Sequence, residues 1–308
     1  MRYLVVGAGA LGGYFGGRLL EAGHDVTFLL RPGRAEALRK TGLVIRSRFG
    51  DLALPPPPYL LAETIASTFD VVIVACKAYD LAATMASFAP AVGSDTAILP
   101  LLNGMRHLDD LTSRFGTTNV LGGLCVISAT LDAAGAIQHL NDLHALTFGE
   151  LDGILSARVE QMQRDFSIAT FDSRATTQIV QEMWEKWVFI ASVASVTCLM
   201  RASIGDVIAA GATELSLQLV DECCGIATAN GFAPRAPSVE RFRAAVTAPG
   251  SLLTASMLKD IERGAPVEAD HVVGDLLARA RQVAPRATLL RVAYAHLKAY
   301  EARRARTT

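Results

Sequence analysis

Several function classes are set aside by what the chain has little of. Its 308 residues hold five cysteines, at 76, 125, 198, 223 and 224. None forms a CxxC pair or stands near histidine at zinc spacing, which argues against a structural zinc site and a disulfide framework. An odd, scattered set of thiols fits a reducing compartment. Cys76 and Cys125 sit in apolar runs and are expected to be buried, and Cys223-Cys224 to place one thiol in the core and one at a helix surface. The six histidines contain no HExxH, so no metal centre is expected. His139 and His144 are expected to flank a hairpin turn at Asn141-Asp142 as surface groups, and Asp270-His271 to lie on a helix face. Excess charge of one sign is also missing: 29 Lys and Arg face 30 Asp and Glu. Apart from the tail at Arg303, Arg304 and Arg306 no basic stripe is visible, so no nucleic-acid partner is expected. The longest apolar stretch, Trp187 to Met200, is too short for a bilayer and carries Ser192, Ser195 and Thr197, so a buried helix and no membrane partner are expected. The first strand begins almost at the N-terminus, so no signal peptide is expected. A cytoplasmic protein is expected.

What is present is a core-forming composition, 51% apolar and 19% charged, over a length that suits two domains. The apolar run Tyr3-Leu4-Val5-Val6 leads into Gly7-Ala8-Gly9-Ala10-Leu11-Gly12 and then a helix. Strand, glycine turn and helix in that order form the fingerprint of a dinucleotide-binding βαβ unit. The first glycine makes the turn, the second admits a pyrophosphate, and the third lets helix and strand pack closely. The helix N-terminus adds free N–H groups and partial positive charge. Read as structure alone, the same glycines make a tight turn that binds nothing.

The end of the second strand, Asp25–Leu30, selects the cofactor. A site for NAD places an acid there to bond the ribose 2′-hydroxyl. This chain has Arg31, with Arg34 three residues on. Two guanidinium groups suit a 2′-phosphate, and a cation at a helix start opposes the dipole unless it has another role. NADP(H) is therefore favoured.

Strand-like and helical segments alternate through the first half: a helix at 32–40, a strand at 43–47, a proline run at 55–58, and strands at 70–76, 97–102, 119–127 and 145–149. Ligands of open α/β sheets bind beyond the carboxyl ends of strands, where Gly7, Arg31, Lys77 and Asn103 all fall. From about Arg174 only helices are expected, at 176–200, 214–230, 238–245, 267–284 and 288–304. The fold class is an α/β Rossmann-type N-terminal domain, residues 1–173, plus an all-α C-terminal domain, residues 174–308, expected to close over the nicotinamide.

Reduction of a ketone needs a proton for the developing alkoxide, and a lysine can supply it. Lys186, in Trp184-Glu185-Lys186-Trp187 of an apolar helix, is the candidate; as plain structure it is a lysine whose stem packs while its head reaches water. Ser256 reads either as a substrate contact or as a helix N-cap. Glu268 opens a helix, where the dipole already favours an acid.

Taken together, GAGALGGYFGGRL, Arg31, Cys76-Lys77-Ala78, Leu102-Asn103-Gly104, Trp184-Glu185-Lys186 and Ser256-Met257-Leu258-Lys259-Asp260 followed by Glu268 resemble the ketopantoate reductase (2-dehydropantoate 2-reductase) family over nearly the whole chain. Members reduce 2-dehydropantoate to pantoate with NADPH in pantothenate biosynthesis. The resemblance implies Lys186 as proton donor and Asn103 near the nicotinamide and the substrate. It implies Lys77 at the same edge, Ser256 on the substrate carboxylate, and Glu268 on the cofactor ribose or the substrate hydroxyl, close enough to pair with Lys186. It implies a small-molecule 2-oxo acid as partner, for a monomer or homodimer.

One departure stands out. The family usually carries asparagines four and eight residues after the lysine, and here those positions are Ile190 and Ala194. Ser192 and Ser195 point elsewhere on the helix, and Thr197 lies about 16 Å along it at 1.5 Å per residue. The site is therefore expected to suit a bulkier or less hydroxylated substrate. A paralogous 2-oxoacid reductase, a hydroxyacid dehydrogenase and a non-catalytic NADP(H)-binding sensor are the competing readings.

Overall fold

The computed structural model describes residues 1–280 and 287–307. The chain forms two compact units, one of 1–102 and 107–180, the other of 103–106 and 181–308.

The apolar runs of the first unit become a fully parallel sheet. Strands β1 (Arg2–Val6), β2 (Asp25–Leu29), β5 (Tyr59–Leu60), β6 (Val71–Val74) and β7 (Ala97–Pro100) run in the order β5-β2-β1-β6-β7. Such sheets are covered on both faces, hence the continuous hydrophobic runs; every residue of β6 and β7 is buried. Helix α1 (Ala10–Glu21) connects β1 to β2 and α3 (Leu81–Phe88) connects β6 to β7, while α2 (Pro32–Thr41) follows β2 and α4 (Arg106–Phe115) follows β7. Because the strands are parallel, Gly7, Arg31 and Cys76-Lys77 follow strand ends at one edge.

A second sheet was only half expected. Strands β3 (Leu43–Arg46), β4 (Leu52–Leu54), β8 (Leu121–Leu131), β9 (Ile137–Glu150) and β10 (Asp172–Ala175) form it, with β8 and β9 a long antiparallel hairpin. The hairpin does not turn at Asn141-Asp142. It turns at Asp132–Ala136, where the Asp132 carboxylate accepts from the Ala134 and Ala136 amides and Gly135 has φ +80°. Asn141 instead accepts from the Ser128 amide, at an irregularity in the β8–β9 register. His144 is consequently buried rather than superficial, its Nδ1 2.8 Å from the Tyr14 hydroxyl. Helix α5 (Ala157–Ser167), capped by Ser156, precedes β10. The pairing of β10 with β9 carries the first unit past the boundary expected at residue 173, to Val180.

The second unit is helical: α6 (Ile179–Met200), α7 (Ile204–Ala209), α8 (Thr213–Ala229), α9 (Ala236–Val246), α10 (Ser256–Glu262), a π-helical turn (Asp270–Gly274) running into α11 (Asp275–Ala280), and α12 (Thr288–Ala305). Residues 281–284 of the helix expected at 267–284 lie outside the described residues. At 22 residues α6 is long and apolar enough to cross a membrane, but 72% of its most apolar stretch is buried within the fold. Burial pushes the Cys198 and Cys223 thiols up to about 12. Cys125 is buried as expected, whereas Cys76 is only half-buried.

Candidate active site

The first unit holds a cavity of about 440 Å³ lined by Gly7, Ala8, Gly9, Arg31, Arg34, Cys76 and Asp80 among others. The glycine turn explains its shape. Gly7 sits at φ +90°, where a side chain is strained, and a Cβ on Gly12 would lie 2.1 Å from the Gly7 carbonyl oxygen. A Cβ on Gly9 would meet nothing within 4 Å, so its absence leaves the loop backbone open to the cavity. Helix α1 begins with no side-chain cap and no acid in its first turn, leaving its first N–H groups to a phosphate. A dinucleotide's pyrophosphate fits this cradle. Ala10, Leu11, Gly12 and Lys77 stand outside the cavity lining; the first three are the helix start behind it, and Lys77 follows Cys76.

The two arginines have different tasks. Arg34 donates from Nε to the Ala8 carbonyl at 2.9 Å and from Nη2 to the Gly135 carbonyl at 3.1 Å, bracing the glycine loop against the β8–β9 turn. Two of its five donors are thus committed to backbone carbonyls, although it lines the same cavity. Arg31 is 73% exposed at its side chain and reaches Asp80 at 3.3 Å. Asp80, which also lines the cavity, gave no signal in the sequence.

The second unit holds a smaller cavity of about 180 Å³. Asn103, Ser256 and Glu268 line it, brought together from the segment after β7, the start of α10 and the stretch two residues before the π-helical turn. Ser256 is the first residue of α10 and Ala255 precedes it as N-cap, so its hydroxyl is not spent on capping. Ile190 and Ala194 line the same cavity from α6. Lys186 is half-buried on α6, one turn before Ile190 on the same helix face, and does not line the cavity.

Neighbouring groups fix these positions. Gly104 has φ +80°, and a Cβ there would lie 3.0 Å from the His271 carbonyl oxygen and 3.1 Å from its ring. Burial lowers the His271 ring's proton affinity, against the Glu268 and Asp275 carboxylates and a bond to the Asn103 backbone that raise it. The Trp187 indole donates to the Val272 carbonyl at 2.8 Å, tying α6 to the π-helical turn. The Thr197 hydroxyl accepts from the Ala255 amide at 3.3 Å, just ahead of Ser256. Thr197 thus supports the site through backbone, a role that its distance along the helix concealed. Glu185, beside Lys186, is buried and receives Arg235 through Nε and Nη2 at 2.7 and 2.6 Å, and Ser238 at 2.9 Å. Burial works to raise its carboxyl, but these bonds outweigh burial and hold it at about 2.

Residues 3–153 match the family described as ketopantoate reductase PanE/ApbA, and residues 178–301 match its C-terminal domain. The chain belongs to the ketopantoate reductase family. An uncharacterized oxidoreductase of Bacillus subtilis, YkpB, is 39% identical over 305 residues, covering 98% of this chain and 99% of its own. The solved 2-dehydropantoate 2-reductase of Geobacter metallireducens superposes with a TM-score of 0.88 at 27% identity, covering 97% of this chain and 99% of that one. A D-mandelate dehydrogenase, solved with NADH and anilino(oxo)acetate, shares the fold with a TM-score of 0.87 at 18% identity and 99% coverage of both chains. This chain is thus an oxidoreductase of the ketopantoate reductase family, and its described residues include a cavity beside a glycine turn and another beside Asn103, Ser256 and Glu268.

Proposed function

We propose that the protein reduces a 2-oxo acid to the 2-hydroxy acid with NADPH, with 2-dehydropantoate as the substrate that the family implies. The observation that carries this reading is the convergence of Asn103, Ser256 and Glu268 on one small cavity, with Lys186 one helical turn before its wall. Bound NADPH supplies the hydride for the keto carbon. Gly7 makes the turn, the amides from Ala8 to Gly12, including those of Gly9, Ala10 and Leu11, hold the pyrophosphate, and Arg31 meets the 2′-phosphate. Lys77, Asn103 and Glu268 position the rest of the cofactor. Ser256 donates to the substrate carboxylate. The Lys186 ammonium gives its proton to the keto oxygen as the C=O π bond breaks, and the neutral amine regains a proton from water. We place the protein in the cytoplasm on the burial of α6 and the scattered thiols, and read it as a monomer or homodimer by family resemblance.

NADPH oxidation followed with 2-oxo acids tests the reading. Lys186→Ala is expected to lower kcat by about 10²- to 10³-fold, the scale of general acid catalysis, with NADPH affinity retained. Full activity in that variant overturns the assignment of Lys186.

A further inference from the structure

The substrate class follows from how the smaller cavity divides its polar and apolar walls. Its polar residues come from the Asn103 segment, the Thr254–Ser256 stretch and Glu268. The α6 wall is hydrocarbon: Phe189, Ile190, Val193 and Ala194. The hydroxyl residues that follow on that helix, Ser192, Ser195 and Thr197, are absent from the cavity lining. Ser192 donates to the Val188 carbonyl at 2.8 Å and Thr197 to the Val193 carbonyl at 2.8 Å, both side chains fully buried. Met257 and Val272 extend the apolar surface from the other elements.

A carboxylate and a keto oxygen need at least three donors between them, and Asn103, Ser256 and Lys186 are the residues suited to provide them. A further hydroxyl on the substrate, lying against α6, would be buried without a partner there. That costs roughly 1–3 kcal/mol, which is a factor of about 5 to 150. Size adds a second limit. The cavity measures about 180 Å³. That is below the 300 Å³ or so where pockets for drug-sized ligands begin.

We propose that this cavity takes the side chain of a short, branched-alkyl 2-oxo acid and selects against hydroxylated analogues, with Ile190 and Ala194 as the specificity-determining residues. The inference rests on reading the cavity as the site of the acid, and it resolves the sequence's "bulkier or less hydroxylated" in favour of the second.

Two acids that differ by one oxygen test it: 3,3-dimethyl-2-oxobutanoate and its 4-hydroxy derivative, 2-dehydropantoate. We would measure kcat/KM for each with NADPH and, separately, the binding of each to the NADP+-saturated protein by calorimetry. The expected result is a preference of about tenfold or more for the unhydroxylated acid in both readouts. Ala194→Ser, a small change, and the double variant Ile190→Asn/Ala194→Asn should narrow or reverse that preference, with unchanged NADPH affinity showing an intact first unit. Equal or better binding of the hydroxylated acid by the unmodified protein overturns the inference, as does failure to bind either acid. Reduction of other 2-oxo acids in that last case would leave the reductase reading standing. A binding preference without turnover of either acid would uphold the apolar subsite and remove the reductase reading.

Discussion

Two arginines three residues apart show how little a residue type says until its neighbours are known. Arg34 commits two donors to backbone carbonyls, so Arg34→Ala should loosen the loop and weaken NADPH and NADH alike. Among the described residues Arg31 makes one exposed ion pair, with Asp80, a contact worth at most about 1 kcal/mol and one that a phosphate can displace. Hydrogen bonds to charged groups are worth roughly 1.5–3 kcal/mol. Calorimetric titration of Arg31→Ala should therefore show NADPH affinity down about tenfold or more and NADH affinity down less than about threefold. Asp80→Asn should act in the opposite direction, tightening NADPH about two- to fivefold by removing a like charge from the phosphate. Equal losses for both coenzymes in Arg31→Ala would remove the phosphate assignment.

At the level of the element, α6 is held in place, one residue from the proposed proton donor, by an ion pair between the buried Glu185 and Arg235, whose side chain is 52% exposed. The folded Glu185 carboxyl titrates at about 2 against an ordinary 4.5. Its stabilisation is therefore complete above about pH 4.5 and fades as pH falls toward 2. Glu185→Gln leaves Arg235 and Ser238 facing a neutral amide, and denaturant unfolding at pH 7 should show a loss of about 1–2 kcal/mol, since solvent screens the half-exposed Arg235. The gap from the unmodified protein should close as pH descends through that window; a gap that stays constant would mean that charge is not what holds the helix. The parallel sheet and most helices were legible in the sequence because apolar periodicity and glycine turns are local signals. Strand β10 and helix α5 were not: Asp172–Ala175 has no apolar run, and it becomes a strand only by pairing with β9. The hairpin turn was misplaced because Asn141-Asp142 has turn chemistry, yet Asn141 spends its side chain on the Ser128 amide across the hairpin. Of the site, Asn103, Ser256, Glu268, Ile190 and Ala194 were legible by spacing and resemblance, and one cavity unites them. Asp80, Thr197 and the Gly104–His271 contact depend on folding partners distant in sequence.

Across the whole molecule, acid should act on both units through histidine. Burial lowers the proton affinity of His144 in the first unit, aided by His139 and Arg18 and opposed by Asp172; burial does the same to His271 in the second. Below the ordinary histidine value, about 6.5, the unfolded chain binds protons that these rings refuse, so stability falls as pH drops. Melting temperatures should decline from pH 7.5 to 5.5, and His144→Gln and His271→Gln should each flatten that slope. A slope unchanged in both variants would assign the acid response elsewhere. The division of the chain carries a practical consequence of its own. Four residues, Asn103–Arg106, belong to the second unit although the first unit continues after them to Val180. A single cut at Val180 therefore cannot liberate a finished helical fragment: the released piece would lack Asn103 and leave bare the surface of His271 on which Gly104 rests. Any attempt to graft, swap or express these halves must carry that tetrapeptide across the break.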